Sequence, residues 1–144
     1  MHQVEAIVSD KLKQANLRPT RQRMVIGERL WSGENRHVTA EQLHTECKEA
    51  HSPVSMATVY NTVHQFVDAG LLKEVVVASG SSYFDTNTEP HHHFYYEDSG
   101  MLEDIAAEEI AIPSIPKPAI ADGKVQSIEV IIRVSGDSAP QSAA

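Results

Sequence analysis

The stretch Ser55–Val77, SMATVYNTVHQFVDAGLLKEVVV, passes from a helical to a strand-like pattern. Its apolar residues first recur at helical spacing, at Met56, Val59, Val63 and Phe66. Ser55 is the predicted N-cap, and Gly70 is the residue expected to end the helix. Beyond it, LLKEVVVA (71–78) and SSYFDT (81–86) predict two strands joined by a Ser-Gly turn. The stretch therefore predicts a helix followed directly by a β-hairpin.

Three more helices are predicted upstream, over residues 3–16, 21–31 and 40–50. Thr20 caps the second, and Thr39 with Gln42 forms a capping box for the third. Their inward positions are Val4, Ile7, Val8, Leu12, Ala15, Met24, Val25, Ile26, Leu30, Ala40, Leu43, Cys47 and Ala50. SGENRH (32–37) reads as a turn, which puts His37 in a loop. Tandem helices followed by a hairpin indicate a winged helix-turn-helix.

In that arrangement the helix that starts after Ser55 enters the major groove of DNA. Its outer face carries Ser55, Ala57, Thr58, Tyr60, Asn61 and Gln65. These groups can reach phosphates, base edges and thymine methyls. Arginines lie close by in the sequence, at Arg18, Arg21 and Arg23. The pattern predicts a sequence-specific contact with double-stranded DNA.

The net charge of −8, taken alone, argues against nucleic acid as a partner. Residues 1–84, however, carry 9 Lys/Arg against 9 Asp/Glu, and residues 85–144 carry 3 against 11. Six of the nine basic residues of the first part lie between Lys11 and Arg29. A basic cluster on a neutral domain can bind phosphate, although ordinary solvated helix charges would look the same.

Beyond Asn87 the composition turns acidic, so we expect a domain boundary near residues 86–90, with domains at 1–86 and 87–136. HHHFYYED (91–98), MLEDIA (101–106) and VQSIEVIIRV (125–134) predict strands, and AAEEIAI (106–112) a short helix or turn. The tail, 137–144, is of low complexity and expected to be disordered. The fold class is α+β, a winged helix followed by a small α/β domain.

A domain of that size is marginal alone, and an open edge on the apolar strand 125–134 would promote aggregation. A two-fold homodimer answers both problems and suits the reading of a palindromic site. No apolar run approaches the length of a membrane span, and no signal-peptide core precedes the first helix. The single cysteine, Cys47, fits a reducing compartment. We therefore expect a cytoplasmic protein.

Three consecutive histidines, His91–His93, stand in a predicted strand. Since strand residues alternate between faces, His91 and His93 point one way and His92 the other. His91 and His93 form a chelating pair that needs further ligands, for which His37 and Asp85 are candidates. A site of these four residues would bridge the two domains and fix their relative angle. Imidazole and carboxylate ligands suit Fe(II), Mn(II) or Zn(II) alike.

Other readings of the histidines remain. His2, His44, His51 and His64 fit surface or helix-cap positions. A metal-dependent hydrolase would need a nucleophile–base pair or an H-E-x-x-H motif beside the triplet, and a histidine-triad hydrolase would alternate its histidines. The chain has neither pattern, so we expect no enzyme and no catalytic residues.

Five segments carry a resemblance to a known family: LRPTRQRMVI (17–26), HVTAEQLH (37–44), PVSMATVYNTV (53–63), LLKEVVV (71–77) and FDTNTEPHHHF (84–94). Together with Gly100 they resemble the ferric uptake regulator family over residues 10–135. The resemblance implies a dimeric, metal-responsive regulator with a winged helix and a dimerisation domain. The resemblance also implies that His37, Asp85, His91 and His93 correspond to the family's regulatory metal site. By the same match Tyr60, beside Thr58, meets bases, and the three arginines lie near DNA contacts.

Three departures from the family pattern point to a branch of it. Tyr96 and Ser99 stand where a C-x-x-C is usual, so no cysteine-bound structural zinc is expected. Gln126 and His92 replace a usual histidine and aspartate. These changes resemble the iron-response regulators of rhizobia and their relatives, which sense iron through haem and control haem-synthesis and iron genes.

This chain has no Cys-Pro haem motif, so haem would rest on His91, His92 and His93. The implied function is a regulator whose DNA binding is promoted by Mn(II) or Fe(II) and opposed by haem. The alternative is a plain manganese- or iron-responsive repressor.

Overall fold

The structure is a computed structural model that describes residues 2–77 and 80–136. The chain divides between Thr88 and Glu89 into two compact units, called here the N-terminal and C-terminal units. The predicted tail, 137–144, and Ser79 of the predicted Ser-Gly turn lie outside the described residues. None of the helices within the described ranges is long and apolar enough to cross a membrane.

Four helices form most of the N-terminal unit. They are α1 (His2–Gln14), α2 (Arg21–Leu30), α3 (Ala40–Glu49) and α4 (Met56–Asp68). The three predicted caps are confirmed: Thr20, Thr39 and Ser55 each accept a hydrogen bond from the backbone N–H three residues on. These bonds satisfy backbone donors that have no partner within the first helical turn.

The helix ends follow local chemistry as well. The side-chain oxygen of Gln42 accepts a hydrogen bond from the backbone N–H of Thr39, which completes the predicted capping box. Gly70 follows α4 with φ +79°, a conformation that glycine adopts without the Cβ clash of other residues. Helix α1 ends two residues earlier than predicted, before the left-handed Asn16 (φ 61°).

A three-stranded antiparallel sheet completes this unit. It contains β1 (His37–Val38), β2 (Lys73–Val76) and β3 (Ser82–Asp85) in the order β1-β3-β2. Strands β2 and β3 are the predicted hairpin of the wing. The prediction that His37 lies in a turn is wrong, because β1 pairs with β3 and sets His37 opposite Asp85. A strand of two residues carries no alternation that a sequence could reveal.

The core of the N-terminal unit is one hydrophobic cluster. It contains Val8, Leu12, Ile26, Leu30, Trp31, Val38, Ala40, Leu43, Cys47, Val59, Val63, Phe66, Leu72 and Phe84. Two residues predicted to face inward do not. Ile7 is 41% exposed, because it lies one residue off the line of Val8 and Leu12. Ala50 is exposed, because it caps the end of α3 rather than lying on its buried face.

The C-terminal unit is built on a mixed sheet. Its strands are β4 (His91–Tyr96), β5 (Leu102–Ala106) and β6 (Ile131–Val134), in the order β5-β4-β6. Strand β5 pairs with β4 antiparallel, and β6 pairs with β4 parallel. One turn of 3-10 helix, Ala107–Glu109, follows β5. The chain thus has the predicted α+β fold.

The last strand is shorter than predicted. The alternation over residues 125–134 indicated one long strand, but only Ile131–Val134 pairs in parallel with β4. Residues 125–129 are exposed and outside any strand. Alternation alone overstates a strand when its residues lie beyond the reach of the neighbouring strand's hydrogen-bonding groups.

Candidate functional site

The outward face of α4 presents the side chains predicted to touch DNA. Ser55, Tyr60 and Asn61 are exposed and Thr58 is half-buried, whereas Val59, Val63 and Phe66 face the core. The hydroxyl of Ser55 donates to that of Thr58 at 2.8 Å, so both stand at the start of the helix. The structure therefore brings the four predicted residues of α4 together on one polar surface.

The predicted arginines differ in how they are held. Nε and one terminal nitrogen of Arg23 each donate to Oε1 of Gln65 at 3.2 Å, and the other donates to the carbonyl of Arg18 at 2.9 Å. Arg23 is thus held against α4 by Gln65, while Arg18 and Arg21 are exposed to solvent. A shallow hollow of about 220 Å³ separates the start of α2 from α4, with Arg23, Thr58 and Asn61 in its lining.

Tyr60 makes two contacts that orient its ring. Its hydroxyl donates to Oε2 of Glu41 at 3.1 Å, and its ring stacks on His64 with centroids 6.3 Å apart and planes 12° apart. The hydrogen bond to Glu41 and that carboxylate's charge raise the pKa of Tyr60 above its ordinary value. Sequence reasoning missed Glu41, which lies 19 residues earlier and carries no local signal of this pairing.

Two predicted metal ligands meet inside the N-terminal unit. Nε2 of His37 lies 3.2 Å from Oδ2 of Asp85, as the pairing of β1 with β3 requires. The other carboxylate oxygen, Oδ1, accepts from the backbone N–H of Asn87 at 2.9 Å. Asp85 is 1% exposed, so this carboxylate is fixed in place by the fold.

Arg36 anchors the strand that carries His37. Its backbone N–H donates to the hydroxyl of Thr86 at 2.8 Å, and its guanidinium donates to the carbonyl of Arg29 and to both oxygens of Glu46. The hydrogen bond to Arg36 lowers the pKa of Glu46 and opposes the effect of its partial burial. The same hydrogen bond, made to Glu46, raises the pKa of Arg36. A bidentate pair of this kind fixes direction as well as distance.

The C-terminal unit holds a second group of ligands. Nε2 of His91 and Nε2 of His93 lie 3.3 and 3.4 Å from Oδ1 of Asp104, and the two rings are 4.5 Å apart. Asp104 was not predicted. It lies opposite His93 because the turn between β4 and β5 is centred on Asp98 and Ser99, whereas the sequence suggested Ser99 and Gly100. A turn placed at Asp98 and Ser99 would have predicted the pairing of Asp104 with His93 from the sequence.

The tautomer of His91 bears on what the group can hold. Nδ1 of His91 lies 2.6 Å from the backbone carbonyl of Glu89, which can only accept, so Nδ1 carries a proton. Nε2 is then the ring atom that faces Oδ1 of Asp104, as Nε2 of His93 also does. A backbone carbonyl that accepts from the other ring nitrogen is the arrangement that orients histidines at metal sites, so the residues fit a transition-metal ion.

His92 faces the other way, as strand alternation predicts. Its Nδ1 accepts from the backbone N–H of Val130 at 3.0 Å, just before β6 begins. Accepting at Nδ1 leaves the proton of the neutral ring on Nε2. In the folded sheet His92 therefore has no lone pair directed outward, and the structure separates it from the pair His91 and His93.

Comparison with known proteins settles the family. Residues 14–132 match the sequence profile described as the ferric uptake regulator family. The chain belongs to the ferric uptake regulator family. A curated relative, the peroxide-responsive repressor PerR of Staphylococcus aureus (strain Mu50), is 35% identical over 103 residues, which are 72% of this chain and 68% of the relative.

Solved structures agree with this membership. The ferric uptake regulator of Vibrio cholerae is similar with a TM-score of 0.70 at 26% identity, over 88% of this chain and 98% of that one. The regulator from Pseudomonas aeruginosa, with manganese, is similar with a TM-score of 0.69 at 23% identity, over 91% and 98%. The second likeness supports the fold alone.

Membership fixes the general function. Regulators of this family bind DNA operators and act as dimers, and they are not enzymes. This chain is therefore a metal-responsive transcription regulator, in agreement with the prediction. The prediction that it has no enzymatic activity is confirmed by the family.

Proposed function

We propose that this regulator is an iron- or manganese-responsive repressor in which one metal ion joins its two units. The N-terminal unit binds DNA through α4, and residues 87–136 bind metal and form the dimer. The support is that each unit brings part of a ligand set into position: His37 with Asp85, and His91, His93 with Asp104. A metal that takes ligands from both units fixes the angle between them, and hence the presentation of α4 to DNA.

The ligand chemistry limits the metal. Imidazole nitrogens with carboxylate oxygens suit Mn(II), Fe(II) and Zn(II), and ligand type alone does not separate the three. Two proteins of similar structure are the ferric uptake regulators of Pseudomonas aeruginosa, with manganese, and of Francisella tularensis, with iron. Those metals belong to those proteins, and we extend them to this chain as the metals to test first.

The test is fluorescence anisotropy of a labelled iron-responsive promoter duplex at fixed salt, with and without Mn(II). We expect Mn(II) to tighten binding by the wild-type protein. The double variant His91→Ala with His93→Ala should lose that tightening, while the matched control His44→Ala should keep it. If the double variant retained the full response to Mn(II), the shared metal site would be wrong.

The DNA-reading surface is tested apart from the metal. Tyr60→Ala removes the ring that we propose meets the bases, so affinity for the duplex should fall by about 10-fold, the scale of one good base contact. Sedimentation should show an unchanged dimer, because Tyr60 is 41% exposed on the N-terminal unit. A monomeric Tyr60→Ala variant would contradict the assignment of α4.

The dimer itself we assign to the C-terminal unit. Strand β6 is an edge of its sheet, and the C-terminal unit exposes the apolar side chains Ile112, Ile115, Ile120, Val125, Ile128 and Ile132. Edges and apolar surfaces of this kind are covered by pairing with a second copy. Ile132→Asp should therefore weaken the dimer in sedimentation, whereas Ile7→Asp, an equally exposed change on α1, should not.

We further propose that the chain belongs to the iron-response branch, controls haem-synthesis and iron-homeostasis genes in the cytoplasm, and is released from DNA by haem. Three adjacent, buried histidines support this reading. Bound haem would add an iron that takes imidazole ligands. His91 and His93 would hold it, whereas His92 would first have to give up its bond to Val130.

Haem and Mn(II) would then compete for the same two rings. We expect added haemin to give a Soret shift with wild-type protein and with His92→Ala, and none with the double variant His91→Ala, His93→Ala. Prior saturation with Mn(II) should weaken the shift. Without any shift, the plain manganese- or iron-responsive repressor is the better description.

A peroxide response is the second candidate, favoured by the 35% identity to the S. aureus repressor. Its signature would be loss of DNA binding when peroxide is added to the Fe(II)-loaded protein and retention of binding by the Mn(II)-loaded protein. The same anisotropy assay separates this outcome from release by haem.

A further inference from the structure

The hydrogen bond between Tyr60 and Glu41 has a fixed direction. An ionised carboxylate has no proton to give, so the Tyr60 hydroxyl is the donor across the 3.1 Å contact. Stacking on His64 holds the ring in the same orientation from the next turn of α4. Two contacts thus hold the phenol ring before any DNA arrives.

Because the Tyr60 hydroxyl proton is donated to Glu41, the phenol can no longer donate it to a base. A free tyrosine hydroxyl both donates and accepts, but one that donates to Glu41 has only its oxygen lone pairs left. A tyrosine hydroxyl is protonated at neutral pH, and the hydrogen bond to Glu41 raises the pKa of Tyr60 further, so the donated bond persists. Beside it, the Glu41 carboxylate is an acceptor too. The pair therefore presents an edge made of acceptors.

The surroundings of the pair are acidic. A cleft of about 440 Å³ between α3, α4 and the wing includes Glu41, Tyr60, Glu74 and Ser82 in its lining. Ser82 donates its hydroxyl proton to Glu74 at 2.7 Å, which commits another donor inside the cleft. Among the described residues that line it, none is lysine or arginine. Such a surface repels phosphate and attracts amino groups.

We propose that Glu41 is a specificity-determining residue that makes Tyr60 read amino groups of bases in the major groove. There, adenine offers its N6 amino group and cytosine its N4 amino group, whereas thymine O4 and guanine O6 and N7 only accept. An edge made of acceptors can accept hydrogen bonds from the amino groups of adenine and cytosine. It is repelled by the acceptor groups of thymine and guanine. Every base pair has one base of each kind, so Glu41 sets which strand of the contacted pair lies against Tyr60. The inference rests on the proposed contact between Tyr60 and DNA.

The experiment uses the full chain with Mn(II), a random duplex library to find the preferred site, and then affinities for all four bases at each position. The position read by Tyr60 is the one whose preference disappears in Tyr60→Phe, which removes only the phenol oxygen. At that position wild type should favour adenine or cytosine on the contacted strand at least 5-fold, the lower end of base discrimination by one polar contact.

Three variants separate the hydrogen bond from the charge. Glu41→Gln keeps an acceptor for the phenol and should keep the preference. Glu41→Ala frees the phenol proton and should reduce the preference to less than about 2-fold. Glu49→Ala, an exposed change of the same charge on the same helix, should leave it unaltered. Thermal unfolding of each variant checks that α3 is intact.

Two results overturn the inference alone: a wild-type preference for thymine or guanine at the Tyr60 position, or an undiminished preference in Glu41→Ala. A third result is distinguishable from both. If Tyr60→Phe and Tyr60→Ala bind every duplex as wild type does, Tyr60 does not meet DNA, and the proposed role of α4 fails together with the inference.

Discussion

The two units of this chain bury different kinds of side chain. In the N-terminal unit, fourteen residues from Val8 to Phe84 form one cluster of hydrocarbon and aromatic groups. In the described part of the C-terminal unit, Ile105 is the single buried apolar residue, and His91, His92 and His93 are the other buried ones. The first unit has a conventional core, whereas the interior of the second is made largely of imidazole.

The difference indicates what each unit needs in order to be stable. Burial of apolar surface is the main favourable term in folding, so the N-terminal unit has its own source of stability. Buried imidazoles contribute little apolar surface, and their burial has a desolvation cost unless they form hydrogen bonds or bind a metal. We therefore expect the stability of the C-terminal unit to depend on what binds it, a metal ion or a second copy, and such a dependence would suit a sensor.

The strongest test of the contrast removes hydrocarbon from each interior. Phe66→Ala should lower the free energy of unfolding of the N-terminal unit by about 3–5 kcal/mol, since Phe66 is fully buried in the cluster. Ile105→Ala should cost about 2 kcal/mol or less, because few apolar neighbours surround it. The single tryptophan, Trp31, has its ring 5.1 Å from that of Phe66, so its fluorescence in urea follows the N-terminal unit. Far-UV circular dichroism, which detects both units, follows the loss in Ile105→Ala. Similar losses in the two variants would contradict the contrast.

Metal addition should act mainly on the other unit. At a metal concentration about 100 times the dissociation constant, binding stabilises the folded state by about 2.7 kcal/mol. Hydrogen exchange should show this as slower exchange in β4 and a smaller slowing in the middle of α4, because the N-terminal unit supplies only His37 and Asp85 to the proposed site. His91→Ala with His93→Ala should abolish the slowing, and His44→Ala should preserve it. Equal protection of both elements would mean that metal stabilises the chain as one body.

A smaller effect, confined to the N-terminal unit, depends on pH. Because Arg36 lowers the pKa of Glu46 in the folded state, the pair stabilises above the ordinary carboxyl pKa of about 4.3, and the contribution is lost as pH falls through the lowered value. Glu46→Gln should cost about 1.5 kcal/mol at pH 7 and progressively less as the pH falls below the ordinary carboxyl pKa, as measured by urea unfolding of Trp31 fluorescence. Glu49→Gln, at an exposed position, is the control. A cost that did not depend on pH would exclude the ion pair as its cause.

The smallest expected effect concerns the end of α4. Gly70→Ala should lower stability by about 1 kcal/mol, since φ is +79° and no heavy atom stands within 4 Å of the new Cβ. Gly33→Ala is the matched control, because the space around Gly33 is equally open and its φ is not in the left-handed region. We expect that control to be neutral or slightly stabilising. Equal melting temperatures for the two variants would show that the conformation at Gly70 carries no cost.

What the sequence predicted correctly rests on local signals. The caps at Thr20, Thr39 and Ser55 each bond to a residue three positions on, so the short segment contains all the chemistry. The outward face of α4 follows from helical periodicity, which needs no knowledge of the rest of the chain. The family resemblance added the general function, which the sequence profile supports.

What it missed depends on pairing across the chain. Strand β1 exists because β3, almost fifty residues later, supplies its hydrogen bonds. Asp104 lies directly opposite His93 only in one register of the β4–β5 pair, and a turn centred one residue later would set it opposite Tyr95. Glu41 meets Tyr60 because α3 and α4 pack together. Each of these partners is chosen by tertiary structure rather than by its neighbours in sequence.

The parallel pairing of β4 with β6 has a consequence for biosynthesis. His93 lies opposite Ile131, so β4 cannot acquire its second neighbour until residues 131–134 have left the ribosome. Contacts between residues so distant in sequence form slowly, because the intervening loop must close first. The N-terminal unit, rich in local helical contacts, is complete much earlier. A nascent chain therefore holds a folded α4 while its histidines still lack their sheet. Metal available at the ribosome then meets those side chains before the protein can respond to it.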